Sequence, residues 1–209
     1  MLTLSGHSGY VFGLCFDPGG GRLASASYDG TVRVWSMPSG EELARLTSPC
    51  AYAHCVDYSP DGRWLAAGFG MPTGVVQFHP CDDLHRPVRS DAHDGVCRAV
   101  RFARDGSAAY SAGGRSLIRH DPTSGPTARH GGRDFQVFQS LDVADDGGVL
   151  ALAAGRVVRF DAELKAARPL FRVDGRTDAT QVRCRGLGPR AVAAGKFALA
   201  VWDGPPDRI

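Results

Sequence analysis

Apolar and polar positions alternate in short runs along the whole chain. Each run ends at Gly, Pro, Asp or Ser, a pattern that predicts β-strands joined by tight turns. Five runs close on an aromatic residue or His followed by a polar residue: 31–36, 74–79, 116–121, 156–161 and 198–203. Their fifth residues are Trp35, Phe78, His120, Phe160 and Trp202, at intervals of 43, 42, 40 and 42 positions. A second landmark keeps step with the first. Segments 16–20, 58–62, 102–106 and 143–147 each end an apolar run with a turn that holds Asp and Gly, joined by Pro in the first two. Pro and Asp preset such a bend, and Gly supplies the positive φ of a tight hairpin. A fifth copy, 184–188, is degenerate but Gly-rich. Behind each turn lies a strand of small residues, such as Leu23-Ala24-Ser25-Ala26-Ser27 and Leu65-Ala66-Ala67-Gly68. Small side chains let neighbouring sheets pack closely.

The stretch from Gly6-His7 through Leu23-Ala24-Ser25-Ala26-Ser27-Tyr28-Asp29-Gly30 to Trp35 resembles one unit of the Trp-Asp (WD) repeat family. The family repeats every ~40–45 residues, and the likeness extends more loosely over the rest of the chain. It implies an all-β fold, a β-propeller of about five four-stranded antiparallel blades around a central channel. The expected organisation is one domain, 1–209, with repeats near 4–46, 47–90, 91–134, 135–177 and 178–209 plus 1–5. On this reading Met1-Leu2-Thr3-Leu4 is an outer strand that either completes the last blade and shuts the ring, or leaves an open arc prone to self-association. A closed ring would hide the sheet edges that invite aggregation.

The resemblance also implies a buried hydrogen-bonded set of His, Ser or Thr, Asp and Trp in each well-kept repeat. The matching residues are His7, Ser25 or Ser27 (Ser27 preferred), Asp29 and Trp35, with His93 and Ser111 in the third repeat. A connected set of this kind satisfies polar groups that burial would otherwise penalise. The same His, Ser and Asp could be read as a catalytic triad. The structural set accounts for them without one, and no G-x-S-x-G elbow occurs. Residues flanking each inner strand, and the one before each turn Asp, are implied to face partners. These are Tyr10, Phe12, Tyr28, Tyr52, His54, Phe69 and Arg98, together with Val96, Val137 and Gln139. Aromatics and Arg anchor interfaces.

Composition narrows the partners. The net charge of +2, from 24 basic and 22 acidic residues, leaves no electrostatic footprint for nucleic acid. No apolar run is long enough for a membrane helix. The expected partners are therefore other proteins or peptides, with no nucleic acid and no membrane. Lys occurs only at 165 and 196 against many Arg, and Ala and Gly are abundant, a bias expected of a GC-rich bacterial genome. The six Cys (15, 50, 55, 81, 97, 184) show no C-x-x-C spacing, which suits reduced thiols in a cytoplasmic protein. No metal or cofactor is expected. His79, Cys81 and His85 fall on a polar turn and lack the paired spacing of a zinc site. Gly186-Leu187-Gly188 precedes a strand, where a dinucleotide fingerprint needs a helix. The expected function is a WD-repeat interaction scaffold or regulatory module with no catalytic activity of its own. The alternative is a propeller enzyme, lactonase-like, using carboxylates such as Asp142 and Asp145 at the channel.

Overall fold

The computed structural model describes residues 2–48, 50–131, 137–172, 179–184, 190–195 and 199–203. Nineteen strands are described, with no helix among them. The first sheet is β1 (Val11–Phe16), β2 (Arg22–Ser27), β3 (Thr31–Ser36) and β4 (Glu42–Thr47), and the second β5 (Tyr52–Tyr58), β6 (Trp64–Gly70), β7 (Gly74–Pro80) and β8 (Val88–His93). The third is β9 (Cys97–Phe102), β10 (Ala109–Gly113), β11 (Ser116–Asp121) and β12 (Gly125–Gly131). The fourth is β13 (Phe138–Val143), β14 (Val149–Ala153), β15 (Arg156–Phe160) and β16 (Ala167–Arg172). The last holds three described strands, β17 (Ala179–Cys184), β18 (Arg190–Gly195) and β19 (Leu199–Asp203). All ladders are antiparallel between strands adjacent in sequence, so every sheet is a local meander. The turn glycines Gly20, Gly62, Gly106 and Gly147 all adopt φ of 70–81°, the left-handed conformation their turns require.

A strand sends alternate residues to opposite faces, and here each sheet divides cleanly. In sheet one, Ala24, Ala26, Val32, Val34, Ala44 and Leu46 face sheet two, where Val56, Tyr58, Leu65, Ala67, Phe69 and Val75 receive them. The other face of sheet two carries Cys55, Ala66, Val76 and Phe78, which meet Val100, Phe102, Ala109 and Ile118 of sheet three. Tyr110, Ala112 and Leu117 then pack on Phe138, Leu141, Val143, Val149 and Phe160 of sheet four. Sheets two and three thus each have a leading face that covers the sheet before and a trailing face that the next one covers. The inner strands β1, β5, β9, β13 and β17 follow one another around a common axis.

Two expectations need correction. Leu2, Thr3 and Leu4 form no strand, and none of the described ladders joins them to β19. The Leu2 and Leu4 methyls lie instead against Gly40 in the β3–β4 turn of their own sheet. An apolar contact within reach of the chain's own start replaces a long-range pairing. Among the described residues, no strand of the last sheet packs on the first as successive inner strands do. The second correction concerns Phe78. Trp35, His120, Phe160 and Trp202 pair with Leu23, Ala109, Val149 and Ala191, one equivalent row in four sheets. In sheet two the partner of Leu65 in that row is His79, whereas Phe78 pairs with Ala66 on the opposite face. Leu23 and Trp35 are twelve positions apart, and Leu65 and His79 fourteen. With the longer β6–β7 hairpin the row falls at His79, and Phe78, one position before it, faces Phe102 and His120 of sheet three.

Close approach between sheets two and three depends on Gly68. A Cβ there would lie 2.4 Å from the Cys55 sulfur and 2.7 Å from that of Cys97. Gly68→Ala should therefore overpack this junction and cost about 1–3 kcal/mol, read as a lower urea midpoint. An unchanged midpoint would show that the junction is looser than described.

Candidate functional site

Two sets of side chains carry the polar chemistry of the molecule. The first lies on the leading face of sheet one. His7 Nδ1–H donates to Asp29 Oδ2 at 2.9 Å, and His7 Nε2 lies 2.7 Å from Ser25 Oγ. Trp35 Nε1–H donates to the same oxygen at 2.8 Å. Thr31 Oγ1 donates to Asp29 Oδ1 at 2.6 Å, and the Ser8 and Thr31 amides donate to that carboxylate as well. Burial pushes the Asp29 carboxyl up, yet these donors together with His7 hold it well below the ordinary carboxylate range. The serine at the centre is Ser25. Ser27 Oγ instead accepts the Asp29 amide at 3.2 Å and shapes the turn. Ser25 and Ser27 share a face, so only the ladder register decides between them.

The third sheet repeats the arrangement with different residues. His93 Nδ1 bonds Ser116 Oγ and His93 Nε2 bonds Ser111 Oγ, each at 2.8 Å. His120 Nε2 takes the place of the Trp, 2.7 Å from Ser111 Oγ. Ser116 occupies the row of Thr31, a role its sequence position gave no signal for. Burial pushes His93 down to about 4 and His120 down to about 3, with the neighbouring Arg129 charge acting in the same direction. In sheet two, His79 Nδ1–H donates to the Leu84 carbonyl at 2.6 Å and holds the following turn. No group of three His, Cys, Asp or Glu among the described residues is placed to hold an ion. Asp142 and Asp145, the carboxylates of the enzymatic alternative, pair with Arg101 and Arg104. Gly186–Gly188 lies outside the described residues.

The second set lines the channel and its mouth. The penultimate positions of the inner strands, Cys15, Asp57, Arg101, Asp142 and Arg183, form one belt. Arg101 stands 3.9 Å from both Asp57 and Asp142, and the Phe102 amide donates to Asp57 at 2.8 Å. The Cys15 thiol donates to Asp57 at 3.5 Å, and burial together with the Asp57 charge pushes it up to about 11. The belt ties one sheet to the next. Arg98, Arg101, Arg183, Gln139 and Gln181 share a polar cleft of about 140 Å³ with Phe12 and His54.

Above this cleft four of the expected contact residues meet. Phe12 stacks on His54 at 4.7 Å with ring planes 9° apart, and Tyr28 stacks on Tyr52 at 4.3 Å and 14°. Phe12 meets Tyr28 edge to face at 6.0 Å. Phe12 and Tyr28 remain 48% exposed and Tyr10, beside them, 81%. Burial and the Arg98 charge lower His54. Arg98 is exposed at the cleft, and Val137 is exposed as well. Phe69 does not join the rim. It is fully buried in the junction of sheets one and two, because residues of β6 alternate and 69 falls on the leading face with Leu65 and Ala67.

Comparison with known proteins fits this geometry. The family model described as "WD domain, G-beta repeat" matches residues 1–36 and 40–71, the two sheets beneath the rim. The solved structure of U3-55K superposes with a TM-score of 0.84 at 18% identity, covering 96% of this chain and 63% of that one. Residues 1–71 thus carry WD repeats, and the fold of the rest is like that of a WD propeller. The guanine nucleotide-binding protein subunit beta-2 of Nicotiana tabacum is 29% identical over 148 residues, 67% of this chain and 39% of that protein. The Periodic tryptophan protein 2 homolog of Mus musculus is 32% identical over 127 residues, 56% of this chain and 14% of that protein. The chain thus spans about two-fifths of the length of the beta subunits it matches.

Two outcomes follow from the WD network. Ser25→Ala strands the Trp35 N–H and a His7 nitrogen at once and should cost about 2–3 kcal/mol or more, whereas Ser27→Ala should cost about 1 kcal/mol. Equal losses in urea melts would contradict the assignment. His93 and His120 would titrate near 6.5 when unfolded but stay neutral in the fold to about 4 and 3. The unfolded chain therefore takes up protons first as pH falls. Stability is full well above pH 6.5 and should decline by about 2 kcal/mol per histidine by pH 5, with Asp29 adding to the loss at lower pH. A flat profile from pH 7 to 5 would contradict the buried histidine set.

Proposed function

We propose that this WD-repeat chain is a scaffold or regulatory module without catalytic activity, and that its rim over sheets one and two docks another protein or peptide. The observation that carries the reading is the stacked, half-exposed ladder of Phe12, His54, Tyr28 and Tyr52, with Tyr10 beside it. Rigid aromatic rings supply a large contact area at little entropic cost and are frequent interface anchors. Stacking on one another fixes these rings before a partner arrives, which reduces the ordering cost of binding. Arg98 at the cleft edge adds a charged donor to the apolar patch. The relatives among the beta subunits of guanine nucleotide-binding proteins support a protein-binding role.

A catalytic role has less support, since the His, Ser and Asp of sheet one are engaged in holding Trp35 and the turn. A net charge of +2 favours protein over nucleic acid or membrane as partner. The buried thiols Cys50, Cys55 and Cys97, with Cys15 and Cys81 partly buried, are unpaired and support a reducing, cytoplasmic location. A bacterial source is supported by the Arg, Ala and Gly bias of composition.

Panning the whole chain against a displayed peptide library tests the proposal. We expect enriched peptides whose affinity falls roughly tenfold or more in a Tyr28→Ala/Tyr52→Ala variant with an unchanged melting temperature. Peptides that bind both proteins equally would remove the rim from the reading.

A further inference from the structure

The inner strands share one irregularity at the mouth of the channel. Each of the first four ladders skips a residue near the start of the strand. The gaps lie between Val11 and Gly13, Ala53 and Cys55, Cys97 and Ala99, and Phe138 and Ser140. The skipped residues are Phe12, His54, Arg98 and Gln139. A bulge leaves its extra residue outside the pairing and re-aims the side chain. All four line the same cleft of about 140 Å³. One backbone device thus delivers two rings, a guanidinium and an amide to a single place.

The charges at that place do not balance. Arg98, Arg101 and Arg183 line the cleft, and no carboxylate lines it. Beneath it Asp57 and Asp142 each stand 3.9 Å from Arg101, and Arg183 donates to the Val182 carbonyl at 2.9 Å. Arg98 is exposed and has no carboxylate within ion-pair distance among the described residues. Its charge falls on His54, which burial already holds toward the neutral form. Gln139 Oε1 has no hydrogen-bond partner among the described residues, so the amide can turn without losing a bond there. Three guanidinium groups over two carboxylates leave one positive charge unanswered. A cleft of this size has room for one side chain. Hydrogen bonds from a guanidinium to a carboxylate are about twice as strong as neutral ones.

We propose that the cleft takes the carboxylate of one Asp or Glu side chain from a peptide segment docked on the rim, with Arg98 and Gln139 donating to it. This rests on the reading of the rim as a docking surface. Phe12 and His54 belong both to the stacked ladder and to the cleft lining, so a segment lying on the rings passes over the opening. The partner is therefore an acidic segment. A phosphate would bring a second negative charge that the site does not balance.

Titration of the full chain with acetate against chloride at equal ionic strength, followed by NMR of the His54 ring, tests the cleft without the rim. We expect a saturable acetate response in the parent and in Tyr28→Ala/Tyr52→Ala, and its loss in Arg98→Gln. Arg98 is exposed, so that variant should melt at the parent's temperature. Peptides selected on the parent from a displayed library should share an acidic position. Its change to Asn or Gln should weaken binding roughly tenfold in the parent and leave binding to Arg98→Gln unaltered. Peptides indifferent to Tyr28→Ala/Tyr52→Ala, with the acetate response intact, would sink the rim reading and with it the docked segment as the carboxylate's source. The cleft assignment itself would be overturned by no acetate response, by a response that survives Arg98→Gln, or by peptides indifferent to their acidic position. Inorganic phosphate bound more tightly than acetate would overturn the choice of a carboxylate.

Discussion

The structure depends on one constraint, that a four-stranded sheet with apolar residues on both faces cannot stand alone in water. Each meander here is local, built from adjacent strands and tight turns, and could form its hydrogen bonds unaided. What it cannot do unaided is cover Leu65, Ala67 and Phe69 on one face and Ala66, Val76 and Phe78 on the other. Fixing the second sheet between its neighbours removes all of these from water. At about 25 cal/mol per Å² of apolar surface, this face-to-face burial outweighs any single polar contact in the chain. Stability then becomes a sum over sheets and junctions, as in other repeat architectures.

Polar groups specify what the apolar faces stabilise. The Trp35–Ser25–His7–Asp29 chain links the segment before β1 to β2, β3 and the turn between them. It therefore fixes a twist and a register that packing of small residues leaves loose. The third sheet reaches the same end with two histidines and two serines. A shared serine hydroxyl is the common element, and it can bond an indole or an imidazole alike. The charged belt of Asp57, Arg101 and Asp142 acts between sheets rather than within them. Function sits on top of this frame: the rim rings are positioned by strands whose other residues are committed to the core.

Much of this was legible in the sequence because hydrophobic period and turn chemistry are local. The repeat near forty-two residues, the turn glycines and the antiparallel meanders all follow from them. The errors came from quantities that local pattern does not fix. Phe78 was the natural aromatic landmark, but the row falls one position later, at His79, and that one-residue offset puts Phe78 on the opposite face. Ser25 and Ser27 are equivalent by parity, and only the pairing of Leu23 with Trp35 selects Ser25. Phe69 precedes a Gly-rich turn much as Tyr28 does, yet it points into the core. The rim stacking of Tyr28 on Tyr52 joins two sheets, and no single repeat contains it. The fate of residues 2–4 likewise depended on Gly40, a contact with no sequence signature.

The central claim is that each sheet owes its stability to the faces its neighbours cover. Native-state hydrogen exchange on the dilute chain, resolved strand by strand, measures this directly. Sheets two and three, covered on both faces, should exchange only at the highest free energies, and β1 and β2 of the first sheet at distinctly lower ones. Protection of the first sheet equal to that of the second and third, or early opening of β6 and β10, would contradict the account.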